Sequence, residues 1–352
     1  MKFIHLADVH LGAVPDRGTP WSQAREEEIW NTFRRVIAGI RENPVDFLFI
    51  AGDLFHRQPL PSDLKEVNYL FSTIPYTRVY LMAGNHDYLK TDSAYRNYPW
   101  SENVVFFQDE QLACVKDDRE NVYVYGLSYE HQEITGSLYE NARPGQEEGY
   151  HILLAHGGDD KHIPMCFSRM AETGFDYIAM GHIHKPQVLF ENQIVYPGAL
   201  EPIDRNDNGP HGYVEGWTQE GRICTRFVPF AARSYYRLSV KVNEESTQIS
   251  LEDTIRGAIR KRGTDHIYQI TLNGMRSPEI LLIPERIKRL GNIIEVNDET
   301  KIAYDLERLY RKHCGTIVGD YIAYFRKDKR DATQEKALYY GLQALLETSS
   351  SK

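Results

Sequence analysis

Short, continuous hydrophobic runs alternate with longer amphipathic stretches through much of the chain. The continuous runs predict buried strands at residues 2–7, 46–51, 78–83, 151–155 and 176–180. Apolar residues at helical spacing predict helices over residues 22–42 and from Pro61 onwards. Because buried strands that alternate with helices form parallel-rich sheets, the pattern predicts an α/β fold.

The pattern changes near residues 231–234, after a predicted hairpin over 212–230. Residues 235–300 are predicted to form three strands and two helices, and residues 303–347 are predicted to be helical in three segments. We therefore predict a large α/β domain followed by a small α+β domain and a helical segment, with boundaries at 1–230, 231–300 and 301–352.

Two apolar stripes mark the helical segment. Such stripes form either the core of a helical unit or a surface that binds a partner. The residues concerned are Ile317, Tyr321, Ile322 and Phe325 in one stripe, and Leu338, Leu342, Leu345 and Leu346 in the other.

Composition indicates a soluble globular protein in a reducing compartment. Of the 352 residues, 41% are hydrophobic and 26% are charged, and no apolar run approaches the length of a membrane span. The four cysteines have no metal-like or redox-like spacing, so a disulfide framework is not expected. We therefore predict a cytoplasmic protein. The cysteines are Cys114, Cys166, Cys224 and Cys314.

Charge is distributed unevenly along the chain. The net charge is −9, which by itself argues against binding to nucleic acid. Residues 1–230 carry 20 Lys and Arg against 33 Asp and Glu, whereas residues 231–352 carry 21 against 17. Eleven of the 13 histidines also lie within residues 1–230. This asymmetry indicates a metal site in the first part of the chain.

Candidate ligands follow five predicted strands. A carboxylate after a strand is usually a turn or helix-cap residue, but five similar strand ends are not explained by packing. If the strands lie in one sheet, their carboxyl ends bring these side chains to a common edge. We treat His5, His131, His151, His162 and His211, which lie outside this pattern, as ordinary core or surface residues. The strand-end residues are Asp8, His10, Asp53, His56, Asn85, His86, Asp87, His156, His182 and His184.

The ligand types suit two divalent metal ions. Imidazole, carboxylate and amide oxygen bind Mn²⁺, Fe or Zn²⁺, and the absence of cysteine among them argues against a structural zinc site. More ligands are present than one ion needs. Two ions bridged by one carboxylate would activate a water molecule and neutralise oxygens on a phosphorus centre.

These motifs resemble the calcineurin-like metallophosphoesterase superfamily, and within it the SbcD-type DNA repair exonucleases with their YhaO-like branch. The resemblance covers residues 1–230. The segments that carry it are His-Leu-Ala-Asp-Val-His-Leu-Gly at 5–12, Ala-Gly-Asp-Leu-Phe-His at 51–56, Gly-Asn-His-Asp at 84–87 and Tyr-Pro-Gly at 196–198.

The resemblance implies a role for each strand-end residue. It implies that one metal is held by Asp8, His10 and His184, and the other by Asn85, His156 and His182. Asp53 would bridge the two ions. His86, aided by Asp87, would stabilise the transition state or protonate the leaving oxygen. His56 would contact the phosphate next to the scissile bond, which is a nuclease feature.

The resemblance also implies a fold, a cofactor and partners. The expected fold is a four-layer α/β/β/α sandwich with a small α+β cap domain and a C-terminal helical segment. The expected cofactor is Mn²⁺, and the expected reaction is hydrolysis of DNA phosphodiesters. The helical segment would dock on an SbcC-like coiled-coil ATPase, and a homodimer is a further expectation. One departure is Ala199-Leu200-Glu201, because related proteins often continue Pro-Gly with Ser.

Two other functions are consistent with the same residues. One is a stand-alone phosphodiesterase acting on cyclic nucleotides or other small diesters. The other is a metal-free scaffold, which the complete ligand set disfavours. Basic runs in the C-terminal part are either phosphate contacts or solvated faces, and we predict weak DNA binding by the isolated chain. These runs are Arg260, Lys261 and Arg262, then Arg286, Lys288 and Arg289, and finally Arg326, Lys327, Lys329 and Arg330.

Overall fold

The computed structural model describes residues 1–326 and 331–350, and the chain divides into two compact units. The first unit comprises Met1–Arg237 and Arg262–Gln269, and the second comprises Leu238–Lys261 and the chain from Ile270 onwards. Lys327, Lys329 and Arg330 of the last basic run lie outside the described residues. The division into domains at 1–230, 231–300 and 301–352 stays a prediction.

Twelve strands and three helices precede residue 230. The strands are β1 (Lys2–Leu6), β2 (Phe47–Ala51), β3 (Arg78–Met82), β4 (Val104–Phe107), β5 (Ala113–Asp117), β6 (Val122–Gly126), β7 (Tyr150–His156), β8 (Tyr177–Gly181), β9 (Gln187–Phe190), β10 (Ile194–Tyr196), β11 (Gly212–Gln219) and β12 (Arg222–Pro229). The helices are α1 (Ser22–Glu42), α2 (Pro61–Ser72) and α3 (Phe167–Ala171).

These strands form two six-stranded sheets. The first has the order β12-β11-β1-β2-β3-β4, and the second has the order β5-β6-β7-β8-β10-β9. Strands β1 to β4 are parallel, as are β6, β7, β8 and β10, while the outer hairpins run antiparallel. The five strands with polar ends are therefore divided between two sheets rather than gathered in one, and the mixed α/β fold predicted above is confirmed.

Aromatic and aliphatic side chains fill the space between the two sheets. Phe3, Phe47 and Phe49 from the first sheet form one buried cluster with Ile152 and Tyr177 from the second. Alternate residues of the same strands point the other way, because successive strand side chains face opposite sides of a sheet. Each sheet therefore has one face in the central core and one face in an outer layer.

The two outer layers differ in structure. On the first sheet, α1 and α2 bury their apolar faces, including Ile29, Phe33 and Val67, against alternate residues of β1 to β3. On the second sheet, the covering layer comes from segments around Tyr129 and Ile163 and from the five-residue helix α3. The apolar pattern of residues 165–173 predicts a helix, and the structure forms one only over Phe167–Ala171.

Within the described residues of the C-terminal part, the chain forms a separate three-stranded sheet and five helices. The sheet has the order β13-β14-β15. The elements are β13 (Tyr235–Val242), α4 (Gln248–Arg262), β14 (Ile267–Arg276), α5 (Pro284–Lys288), β15 (Ile293–Ile302), α6 (Leu306–Lys312), α7 (Ile317–Tyr324) and α8 (Ala332–Ser350). The apolar run of residues 293–296 predicts a short strand, and β15 continues six residues further, through a mostly polar segment.

The apolar stripes of the helical segment pack largely on each other. Ile322 of α7 and Leu342 of α8 are buried in one cluster with Val318. Ile317 of the same stripe is 70% exposed. Within the described residues, no helix combines the length and hydrophobicity needed to cross a membrane.

Candidate metal centre

The strand ends turn sharply, and four of the predicted ligands hold left-handed backbone conformations. The φ angles are 50° at Asp8, 52° at His10, 52° at Asp53 and 98° at His182. Side-chain-bearing residues rarely adopt positive φ, and such strain concentrates at functional sites. The turns direct these four side chains to the edge where the carboxyl ends of both sheets meet.

Glycines let the two sheets approach each other at this edge. A Cβ atom at Gly84 would overlap the Asp53 carboxylate and would lie 2.7 Å from two atoms of the His156 ring. A Cβ atom at Gly52 would overlap the same imidazole, and Gly52 also has a φ of 85°. The small residues that end the predicted strands therefore make room for a buried histidine from the second sheet.

Asp8, His10 and His184 form the first ligand group. Their ligand atoms all lie within 4.8 Å of one another. The Nε2 atoms of His10 and His184 are 3.0 Å apart. Two nitrogens bound to one ion at about 2.1 Å each are separated by about 3 Å, so this spacing suits a shared metal.

Asn85, His156 and His182 form the second ligand group. The Asn85 Oδ1 atom lies 3.0 Å from His156 Nε2 and 3.1 Å from His182 Nδ1. The other ring nitrogen of His156, Nδ1, lies 2.9 Å from the Ala51 carbonyl and donates to it. This bond leaves the lone pair of Nε2 directed at the Asn85 oxygen.

Asp53 lies between the two groups. Its Oδ2 atom is 3.8 Å from His10 Nε2 and 3.5 Å from His156 Nε2. Its Oδ1 atom accepts a hydrogen bond of 2.9 Å from the His86 backbone N–H. One carboxylate oxygen thus faces a ligand from each group, which is the arrangement a bridging ligand requires.

Burial makes this cluster of acids and imidazoles costly without compensating cations. Burial raises the pKa of Asp8 to about 6, although the nearby His156 and His184 oppose the rise. Burial also holds the pKa of His10 well below its usual range, with Asp53 acting in the opposite direction. Neutral imidazoles and carboxylates are metal-binding forms, and divalent ions would supply the missing positive charge.

His86 and His56 lie together beside the first ligand group. Their rings stack with centroids 5.1 Å apart, and the His86 Nδ1 atom lies 3.2 Å from the His56 carbonyl oxygen. His56 Nδ1 is 3.4 Å from His10 Nδ1. Burial, and then the charge of His86, lowers the pKa of His56. Each ring therefore engages its Nδ1 edge within the protein, which leaves Nε2 for an outside contact.

Asp87 is fully buried and contacts backbone. Its Oδ1 atom accepts from the Gly84 N–H at 2.8 Å, and its Oδ2 atom accepts from the Phe55 N–H at 3.1 Å. Burial and the charge of Asp53 raise its pKa to about 7. These contacts tie the turn of residues 84–87 to the turn after β2, and its predicted assistance to His86 stays a prediction.

Two carboxylates absent from the predicted set contact histidines of the centre. Asp159 lies 2.7 Å from His182, and Asp207 lies 3.2 Å from His184. Asp159 follows His156 by three residues, so its position close to a predicted ligand is a signal in the sequence. Asp207 lies in a polar loop with no strand before it, so sequence spacing carried no signal for it.

His162 and His211, which are predicted to be ordinary core or surface residues, contact Asp159 and Asp207. The His162 Nδ1 atom lies 2.9 Å from Asp159 Oδ1, and the His211 Nε2 atom lies 3.2 Å from the Asp207 carbonyl oxygen. By contrast, His5 and His151 contact core tyrosines, as ordinary buried residues do.

Glu201, in the segment that departs from the related proteins, has a structural role. Glu201 is buried and accepts a 2.6 Å hydrogen bond from the Thr32 hydroxyl of α1. Its Oε2 atom is 3.6 Å from the guanidinium of Arg25, which is itself fully buried. This contact fixes the start of the loop that carries Asp207 on α1.

Comparison with known proteins gives a consistent picture. A family model described as calcineurin-like phosphoesterase matches residues 1–186. The chain is 29% identical over 307 residues to the uncharacterized metallophosphoesterase YhaO of Bacillus subtilis, an alignment that covers 80% of this chain and 74% of that protein.

Archaeal relatives extend the similarity over most of the chain. The DNA double-strand break repair protein Mre11 of Archaeoglobus fulgidus is 30% identical over 356 aligned residues, which cover 87% of this chain and 78% of that protein. The Mre11 protein of Methanopyrus kandleri is 24% identical over 360 aligned residues, which cover 89% of this chain and 76% of that protein.

Proposed function

Because this chain belongs to the calcineurin-like phosphoesterase family, we propose that it is a two-metal DNA nuclease of DNA repair. The coarser statement, a metal-dependent phosphoester hydrolase, follows from the family itself. The proposal adds the substrate, DNA phosphodiesters, and the metal, Mn²⁺. It also adds a cytoplasmic location and a coiled-coil ATPase of the SbcC type as partner.

The position of Asp53 carries the metal assignment. Its Oδ2 atom faces one imidazole from each ligand group, at 3.8 Å and 3.5 Å. We assign Asp8, His10 and His184 to one ion, and Asn85, His156 and His182 to the other. Two ions so held would supply a hydroxide nucleophile and neutralise charge on the phosphorus oxygens.

The two stacked histidines supply the remaining chemistry. His86 donates through Nδ1 to the His56 carbonyl, so its Nε2 atom is left to stabilise the transition state or pass a proton to the leaving oxygen. His56 is half-buried beside it and presents Nε2 to a phosphate next to the scissile bond. Asp87 supports both through the backbone of their turns.

Two observations favour DNA over a small diester. The archaeal relatives are named for DNA double-strand break repair and align over most of the chain. A small diester also offers no second phosphate for His56 to contact.

Arg286 and Arg326 of the basic runs form ion pairs within the protein, with Glu252 and Glu307, so they count less as phosphate contacts. We therefore keep the proposal of weak DNA binding by the isolated chain.

One set of assays tests the nuclease proposal. The full chain is supplied with Mn²⁺ and given linear duplex DNA, single-stranded DNA or bis-p-nitrophenyl phosphate. We expect Asp53→Ala to lose metal and all activity. We expect His56→Ala to keep metal and small-diester hydrolysis but to impair cleavage of duplex ends. The control is His131→Ala, whose ring is exposed and pairs with Glu110.

The outcomes separate the alternatives. Turnover of the small diester without DNA cleavage would favour the stand-alone phosphodiesterase. Equal loss of both activities in His56→Ala would contradict its assignment to a DNA phosphate. A wild-type protein that binds no Mn²⁺ and turns over neither substrate would support the hypothesis of a metal-free scaffold.

The exposed side of α7 and α8 supports the proposed ATPase partner. Ile317 is 70% exposed and Tyr340 is 59% exposed, although neighbouring residues of the same helices are buried. We expect Ile317→Asp to abolish copurification of the ATPase while metal content stays unchanged. The control is Asp320→Asn, a polar change on the same helix. Retention of the ATPase by Ile317→Asp would count against this surface.

A further inference from the structure

Each ligand group contains one histidine that contacts a carboxylate outside the ligand set. In the second group, Asp159 Oδ2 is 2.7 Å from His182 Nε2. In the first group, Asp207 Oδ2 is 3.2 Å from His184 Nδ1. The two contacts use different ring nitrogens, Nε2 in His182 and Nδ1 in His184.

The remaining nitrogen of each ring points into its ligand group. His182 Nδ1 lies 3.1 Å from Asn85 Oδ1, and His184 Nε2 lies 3.0 Å from His10 Nε2. A carboxylate accepts hydrogen bonds and donates none, so it places the imidazole proton on the nitrogen that faces it. The nitrogen that faces the ligand group then keeps its lone pair for a metal.

Asp159 is held in place although its side chain is 47% exposed. Its Oδ1 atom accepts from the backbone N–H groups of Lys161 and His162, both at 2.9 Å. The His162 ring also lies against it, with Nδ1 2.9 Å from Oδ1 and 3.0 Å from Oδ2. The two backbone hydrogen bonds hold Oδ1 and so orient Oδ2 towards His182.

Asp207 is fixed by the loop that contains it. Its Oδ2 atom accepts from the backbone N–H groups of Ile203 and Asp204, at 3.1 Å and 3.0 Å. The ring of His211 spans this loop, because Nε2 lies 3.2 Å from the Asp207 carbonyl and Nδ1 lies 3.0 Å from the Ala199 carbonyl. Both carboxylates are thus preorganised rather than mobile surface acids.

We propose that Asp159 and Asp207 are positioning residues of the metal centre, each fixing the proton and the ring orientation of one histidine ligand. Asp159 serves the ion held by Asn85, His156 and His182, and Asp207 serves the ion held by Asp8, His10 and His184. The inference rests on the proposed dinuclear site. Partners of this kind change metal affinity by about 10- to 100-fold when removed.

The local contacts choose the substitutions. In Asp159→Asn, the amide oxygen would keep the two backbone donors at Oδ1, so the NH₂ group would face His182 Nε2 and donate to it. The imidazole proton would then move to Nδ1, where it blocks the ligand position, as an Asp-to-Asn change reverses a histidine tautomer in serine proteases. Asp207→Ala removes the acceptor of His184 outright, and Asp207→Asn keeps a neutral acceptor there.

The experiment measures metal binding directly. Metal-free full-length protein is titrated with Mn²⁺, free Mn²⁺ is followed by its electron paramagnetic resonance signal, and bound metal per chain is counted. We expect two ions in the wild type. We expect Asp159→Asn and Asp207→Ala each to weaken one of the two ions by about 10- to 100-fold, and Asp207→Asn to weaken it less.

Controls separate this role from a general structural effect. Asp160→Asn removes the same charge one residue from Asp159, and Asp204→Ala alters the Asp207 loop without touching His184. Both should bind two ions as the wild type does. The melting temperature in chelator should be the same for the wild type, Asp159→Asn, Asp207→Asn and Asp160→Asn, because the proposed role is exercised on the metal-bound site. Asp207→Ala should melt lower, because Ile203 and Asp204 lose the acceptor of their backbone N–H groups.

Three results would overturn the inference. The first is a wild type with two ions whose Asp159→Asn and Asp207→Ala variants bind both with unchanged affinity. The second is three ions in the wild type with one lost in Asp159→Asn, since Asp159 would then be a direct ligand with His162. The third is a wild type without Mn²⁺, which would remove the proposed dinuclear site as well.

Discussion

The glycine at position 84 offers a direct test of how the centre is packed. Gly84→Ala would place a methyl group between the Asp53 carboxylate and the His156 ring, which lies 2.7 Å from the new atom. Ordinary carbon contacts are about 3.5 Å or longer, so the ring must retreat by about 0.8 Å and the carboxylate by more. Both displaced groups are proposed ligands.

The size of the expected effect follows from these distances. A misplacement of about 1 Å costs about 100-fold in rate, or about 2.7 kcal/mol of activation free energy. The added methyl should also lower the free energy of unfolding by about 1–3 kcal/mol through overpacking. We therefore expect Gly84→Ala to fold, to bind Mn²⁺ weakly and to cleave at most about 1% as fast as the wild type.

A second glycine provides the matched control. Gly39 lies on the exposed side of α1, and a Cβ atom there would meet nothing within 4 Å. Gly39→Ala should raise the free energy of unfolding by about 0.5–1 kcal/mol and leave metal binding unchanged. The assays are urea unfolding, Mn²⁺ content and hydrolysis of bis-p-nitrophenyl phosphate. Wild-type metal content and rate in Gly84→Ala would refute the packing argument.

Three further predictions concern the fold and the metals. Arg25→Ala should lower the free energy of unfolding by about 3–5 kcal/mol in urea, because the buried Glu201 carboxylate and the Pro202 carbonyl lose their guanidinium partner; the half-exposed Arg34→Ala should cost at most about 1 kcal/mol, and equal costs would contradict this. His86→Gln should reduce cleavage by about 10²- to 10⁴-fold with metal content unchanged, and a parallel loss of metal would argue against a role in proton transfer. Mn²⁺ at 100 times its dissociation constant should stabilise the wild type by about 2.7 kcal/mol for each bound ion in thermal unfolding, whereas Asp53→Ala should show no such gain.

The sequence indicates which strand-end residues lie together better than it indicates the sheets that carry them. Strand ends such as Gly52-Asp53 and Gly84-Asn85 carry a double signal, a small residue that permits a sharp turn and a polar residue that follows it. That signal is local, so it is readable from the chain. The assignment of β1 to β3 and of β7 and β8 to different sheets depends on pairing between distant segments, which apolar runs alone do not encode.

Residues that act through other residues were the ones missed. Asp207 lies in a loop and contacts His184. Asp159 follows the predicted ligand His156 by three residues but is not in the predicted set. His162 and His211 follow no predicted strand, so sequence spacing predicts ordinary core or surface residues at these positions. The proposed role of Asp159 and Asp207 depends on which ring nitrogen of His182 and His184 each carboxylate faces. Only the folded structure shows those contacts.

The division of the centre between the two sheets has a consequence for biosynthesis. His10 meets an imidazole that lies 174 positions later in the chain, and Asp53 meets His156 across the same gap between sheets. A ribosome-bound chain that has made only β1 to β4 of the first sheet holds Asp8, His10, Asp53 and Asn85 without their partners. The proposed hydrolytic capacity would therefore arrive in one step, when β7 and β8 of the second sheet dock, and a nascent chain would have none before His184, about halfway along the sequence, is made.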